Sequence, residues 1–109
     1  MKGTNIGEFE ELVLLSVGLL HLDAYGLAIV EELKSHSKRK VTLSAVHKVL
    51  IRLEKKGFLN SHIGGATKER GGRNKKLYTL TFLGKNVVNQ TRDLRNQLWQ
   101  AIPDVVWKN

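Results

Sequence analysis

The chain has 109 residues, 41% of them hydrophobic, which suffices for one modest core, is too little for two domains, and is unlike a disordered tail. With 18 Lys+Arg against 10 Asp+Glu the formal charge is +8, a balance that favours a polyanionic partner. It has no cysteine, so disulfides, thiol catalysis and thiolate metal sites are excluded.

The first predicted element is a helix over residues 8–20, with Phe9, Leu12, Val13, Ser16, Leu19 and Leu20 on one stripe. Glu8, Glu10 and Glu11 stand at its N-terminal end, where the helix dipole favours acids. Asp23 is the expected cap of a second helix reaching from about residue 24 to 37. Leu27, Ile29, Val30 and Leu33 supply its buried side. A basic loop, Lys38-Arg39-Lys40, leads to a third helix opening at Thr42 or Leu43 and closed by Gly57, with Lys55 and Lys56 in its last turn. On a helical projection Leu43, Val46, Leu50 and Leu53 form the core stripe, and Ser44, Lys48, Arg52 and Lys55 gather opposite.

Residues 58–63 read as a strand, and Gly64, Gly65, Gly71 and Gly72 mark a turn region. Residues 76–80 form the return strand, with Tyr78, Leu80 and then Phe82 facing one way and Leu77, Thr79 and Thr81 the other. Thr81 caps a fourth helix over about 82–101, halted by Pro103. Three helices, a hairpin with a basic glycine-rich tip and a final helix make a mainly α fold, a winged helix-turn-helix. The winged-helix part spans residues 1–81 with its wing at 64–76. Residues 82–109 add a C-terminal helix and tail to the same unit.

Charge is concentrated. Between residues 34 and 76 thirteen Lys/Arg face only Glu54 and Glu69, a net +11 that exceeds the +8 of the whole chain. A helix with Lys and Arg outside is usually just solvated. Here the two-helix lead-in, the basic wing and the confinement of charge to this window favour nucleic acid. The first turns of the third helix would reach base edges, through Thr42, Ser44, His47 and Lys48, and its later cations would meet phosphates.

Other chemistries find little support. His21, His36, His47 and His62 match no zinc spacing, so no metal or other cofactor is expected. Glu10-Glu11 and Glu31-Glu32 are adjacent on helices and diverge by about 100°. No nucleophile elbow and no phosphate loop occurs, so an enzyme is not expected and no catalytic residue is assigned. The longest apolar stretch, residues 12–22, is about half of what a spanning helix needs, and the N-terminus lacks the pattern of a signal peptide. A cytoplasmic protein without a membrane partner is expected.

Three motifs in order carry a family likeness. The first is Asp23-Ala24-Tyr25-Gly26 leading to Ile29 and Glu32-Leu33. The second runs from Val41-Thr42-Leu43-Ser44 through His47 to Arg52-Leu53-Glu54-Lys55-Lys56-Gly57-Phe58-Leu59. The third is Glu69-Arg70-Gly71-Gly72-Arg73-Asn74-Lys75-Lys76-Leu77-Tyr78-Thr79-Leu80-Thr81 with Gly84. Over about residues 7–100 the chain resembles the PadR-like transcriptional regulators. The resemblance implies a prokaryotic homodimeric repressor acting on a pseudo-palindromic operator in double-stranded DNA. It places the third helix in the major groove and the wing on the backbone or minor groove. The expected DNA contacts are Tyr25, Lys40, Thr42, Ser44, Ala45, His47, Lys48, Arg52, Arg70, Arg73, Lys75 and Lys76. One departure stands out: His47 occupies a position where the family usually has Tyr.

For the last helix the resemblance implies pairing of two subunits, with Phe9, Leu94, Leu98, Trp99 and Ile102 as dimer or effector residues. Trp99 is expected either as an interface anchor or as the wall of a pore at the dimer axis that takes a small hydrophobic effector. Two other functions fit the same residues: a winged helix used for protein contact, and a sequence-neutral architectural DNA binder.

Overall fold

The computed structural model describes residues 6–64 and 75–108. Helix α1 (Glu8–Leu20) opens on Gly7, whose amide donates to Glu10 Oε1 at 2.9 Å. That is one half of a capping box, since glycine has no side chain to supply the other. Val13, Leu14 and Val17 are fully buried, and Ser16 is buried with its hydroxyl donating to the Leu12 carbonyl. Leu19, expected on the inner stripe, is exposed, and Leu14 and Val17 take the interior instead. The cause is that α1 is packed by α2, α3 and β2 together, so its buried arc is turned from the one that periodicity alone suggests.

His21 ends α1 at a positive φ of 53°, and a short 3-10 turn, His21–Asp23, follows. Helix α2 (Gly26–Ser37) is capped by Tyr25 and not by Asp23. Asp23 is held in the turn, where its backbone carbonyl accepts from the Tyr25 amide, which moves the helix start two residues on. Ile29, Val30 and Leu33 are buried, whereas Leu27 points outward, against expectation.

Helix α3 (Leu43–Lys55) begins as expected at Thr42, whose Oγ1 accepts from the Ala45 amide at 3.1 Å. Val46, Val49, Leu50 and Leu53 are its buried residues. Leu43 is 41% exposed, because it lies in the first turn, beyond the reach of the core. Gly57 turns the chain at φ 83°, and the Phe58 amide reaches back to the Leu53 carbonyl, closing the helix.

Strands β1 (Leu59–Ile63) and β2 (Lys76–Leu80) pair antiparallel, with Leu59 opposite Leu80 and Ile63 opposite Lys76. The wing tip expected between them, with Arg70 and Arg73, lies outside the described residues. Tyr78 is buried and its amide donates to the Ala24 carbonyl, so β2 is stitched to the lead-in of α2. Phe82, expected to face the same way as Tyr78 and Leu80, is 79% exposed because the chain has already turned into α4 (Phe82–Ala101). Thr81 caps that helix through the Gly84 amide and donates to the Gly57 carbonyl. Beyond Val87 the helix contributes no fully buried residue. After Pro103 a second 3-10 turn, Asp104–Trp107, brings Trp107 back onto Trp99. Among the described residues no helix is long and apolar enough to cross a membrane.

Candidate nucleic-acid interface

The register that buries Val46, Val49, Leu50 and Leu53 leaves Ser44, His47, Lys48 and Arg52 on the outer face of α3. Ser44, Lys48, Arg52 and Lys56 follow one another at intervals of four and therefore form a single row. Thr42 is exposed, but its side-chain oxygen is already occupied by the Ala45 amide. Ala45 is half-buried at the edge of this face. Lys40, in the loop before α3, and Lys48 have no ion-pair partner among the described residues.

His47 leans on the start of α2. A Cβ added to Gly26 would lie 2.7 Å from His47 Nε2, so glycine is what lets this ring settle there. A cleft of about 420 Å³ opens beside the pair, lined by Tyr25, Gly26, Leu27, Leu43, His47, Lys76 and Tyr78. Lys75 Nζ stands 4.6 Å from the centre of the Tyr25 ring, and Lys76 Nζ stands 5.7 Å from that of Tyr78, both cation–π distances. Tyr25, His47 and Lys76 come from three separate parts of the chain and line one opening next to the outer row of α3, with Lys75 over the Tyr25 ring.

Part of the positive charge of the window is answered from α1. Glu8 accepts from Arg39 at 2.9 and 3.1 Å. Glu10, only 8% exposed, accepts through Oε2 from Arg52 Nε at 2.9 Å and Lys56 Nζ at 3.0 Å. Burial pushes the Glu10 carboxyl up. The hydrogen bonds from the Gly7 amide, Lys56 and Arg52, with the charge of Lys56, outweigh it and hold the group below the ordinary glutamate value of 4.5. Arg52, expected to meet DNA, is thus tied at Nε to an acid on another helix. This partnership escaped sequence reading because Glu10 stands 42 and 46 residues from its partners.

At the other end, Leu94, Leu98 and Trp99 are exposed on α4, Trp99 by 64%, and Ile102 is half-buried. Trp99 and Trp107 stack with centroids 5.6 Å apart and planes 16° from parallel. A cavity of about 290 Å³ lies between α1 and α4 against Glu11, Leu15, Val88, Arg92, Arg95 and Trp99. Glu11 and Arg95 close on each other across it at 3.0 Å. Phe9 is apart from this group: it packs against the core and under the Arg39 guanidinium, 5.6 Å from the ring centre. Leu15 and Arg95 were not singled out from the sequence, where nothing local distinguishes them, and Glu11 was read there only as an acid favoured by the helix dipole.

The sequence model of the transcriptional regulator PadR-like family matches residues 14–90. The chain belongs to this family. Its PadR-like fold is shared with solved structures. A PadR family transcriptional regulator from Eggerthella lenta is 25% identical, over 94% of this chain and 88% of that one, with a TM-score of 0.68. The complex structure of hsRosR-S1 is 25% identical over 96% and 84% of the two chains, with a TM-score of 0.67. A PadR-like transcriptional regulator from Bacillus cereus, at 15% identity over 93% of each chain and a TM-score of 0.75, is alike in fold. No curated protein matches the chain. Members of the PadR-like family are DNA-binding transcriptional regulators and not enzymes, and this PadR-like chain is a DNA-binding regulator of that kind.

Proposed function

We propose that the protein is a dimeric, cytoplasmic repressor that binds a pseudo-palindromic operator through α3 and the wing and is released by a small hydrophobic effector. The observation that carries this reading is the gathering of Tyr25, His47 and Lys76 around one cleft beside Ser44 and Lys48, with Lys75 over the Tyr25 ring. In this reading α3 enters the major groove with its N-terminal turns, so Ser44, His47 and Lys48 face base edges, flanked by Thr42 and Ala45. Lys40, Lys75 and Lys76, with Arg70 and Arg73 of the wing, bind phosphates, and Tyr25 offers a hydroxyl to the backbone. The DNA-binding part is residues 1–81, and α4 with the tail is the dimerisation element.

The exposed Leu94, Leu98 and Trp99 support pairing of α4 with a second copy, since a helix with apolar residues on its outer face gains by covering them. The cavity against Trp99 and Leu15 supports an apolar effector at that interface, which would act by binding one spacing of the two α3 helices better than another. A small dimer can repress by blocking polymerase.

The test is fluorescence anisotropy on the DNA upstream of its own gene, against a shuffled duplex, over a salt series. Tight binding that survives shuffled competitor is expected. With roughly eight phosphates neutralised per dimer, the slope of log K against log salt is about −7, and protected half-sites lie about 34 Å apart. Equal affinity for both duplexes would make the protein an architectural binder. No binding to either would leave a protein-contact module.

A further inference from the structure

The row Ser44, Lys48, Arg52 and Lys56 divides in two. Ser44 is uncharged and Lys48 has no ion-pair partner among the described residues, while Arg52 and Lys56 both close on one oxygen of Glu10. A helix that reads a groove with its N-terminal turns brings its C-terminal cations toward the sugar-phosphate backbone, where contact adds affinity without sequence information. Arg52 and Lys56 occupy that end of α3, and Arg52 lies in line with Lys48.

We propose that Glu10 is a positioning residue for DNA recognition, which anchors the C-terminal half of α3 to α1 and keeps Arg52 and Lys56 from sequence-independent contact with phosphates. It rests on the reading of α3 as the DNA-reading helix. The geometry gives three reasons. The carboxylate is anchored at both oxygens, Oε1 by the Gly7 amide and Oε2 by the two cations, so it cannot follow them outward. Its burial in the α1–α3 interface strengthens its Coulombic attraction to both cations, and their departure would leave a buried carboxylate uncompensated. The two cations are long side chains, each more than a third exposed, so they have room to swing out once released. Glu10 thereby fixes both the angle of α3 on α1 and the number of charges that α3 spends on the backbone.

The test compares the wild type with Glu10→Gln, which keeps an oxygen for the Gly7 amide and removes the charge. Anisotropy is measured on the upstream DNA and on the shuffled duplex over a salt series. Each released cation steepens the slope by about 0.9, so the two cations give about 1.8 per subunit and about 3.6 for the dimer, with a larger gain in affinity for the shuffled duplex than for the upstream DNA. Adding Lys56→Gln to that variant is expected to remove about half of the steepening. A lower melting temperature with unchanged slopes would make Glu10 a merely structural residue and overturn the proposal. A second measurement needs no variant: the ¹⁵N signal of the Arg52 Nε–H group in the free protein and in the complex with upstream DNA. A signal protected from exchange in both states supports retention of the Glu10 bond. Its loss or shift to a phosphate-bound position in the complex would overturn it. If Ser44→Ala and His47→Ala change sequence preference while Glu10→Gln moves no slope, this inference alone fails. If the wild type binds neither duplex, the reading of α3 fails with it.

Discussion

Gly84 lies in the first turn of α4, where an added Cβ would collide with the carbonyl oxygen of Phe58 and lie 3.0 Å from its carbonyl carbon. Those atoms are backbone and cannot rotate aside. The same carbonyl accepts from the Thr81 amide at 3.1 Å, and the neighbouring Gly57 carbonyl accepts from the Thr81 hydroxyl at 2.6 Å. Gly84→Ala therefore has to lever α4 away from the turn after α3 and strains both bonds. Overpacking of this kind costs about 1–3 kcal/mol, and a backbone clash belongs at the upper end, about 3. Alanine returns about 1 kcal/mol through helix propensity, which leaves a net loss of about 2 kcal/mol. For a chain of this size that is a fall in Tm of roughly 8–16 °C. The assay is thermal unfolding followed by circular dichroism at fixed protein concentration, because association of subunits shifts Tm. Gly18→Ala is the control: there a Cβ would meet only the side-chain Cδ1 of Leu80 at 3.3 Å, which can give way. A Gly84→Ala protein as stable as the wild type, or more so, would refute the close-approach argument.

Replacing Lys75 and Lys76 by Ala should weaken binding to every duplex alike and flatten the salt slope by about 1.8 per subunit, about 3.6 for the dimer, in anisotropy titrations. Ser44→Ala and His47→Ala should instead change which sequences are preferred, by about 1–3 kcal/mol at a contacted base pair, measured on a panel of operator variants. Trp99→Ala should loosen the dimer in sedimentation or light scattering; an unchanged dimer would remove Trp99 from the interface. Glu10 adds a pH dependence of stability. Its carboxyl is depressed in the folded state, so its contribution is fully present above the ordinary value of 4.5 and is lost as pH falls through the lower folded value. Urea unfolding across the acidic range should show this loss in the wild type and a flatter profile in Glu10→Gln.

The order of elements was legible in the sequence because the signals that set it are local. Thr42 and Thr81 cap helices through amides three residues on, and Gly57 ends α3 by a positive φ that glycine adopts freely. The row of outer residues on α3 follows from a 3.6-residue period and needs no knowledge of the rest of the chain. What periodicity could not decide is how far round each helix the interior reaches. Leu19, Leu27 and Leu43 belong to apolar stripes and yet face outward, because the neighbours that would cover them come from distant parts of the chain. The cap of α2 went to Tyr25 for a like reason: β2 holds the Ala24 carbonyl, and the turn before the helix is set by that bond and the 3-10 turn. Tertiary structure alone also decided the state of the charges. The sequence by itself determined that positive charge concentrates in residues 34–76. Only packing decided that Arg39, Arg52 and Lys56 are paired with acids of α1, while Lys75 and Lys76 stand over the rings of Tyr25 and Tyr78. Formal charge is a property of the residues; whether a charge is free to meet a partner depends on what the fold brings within about 4 Å of it.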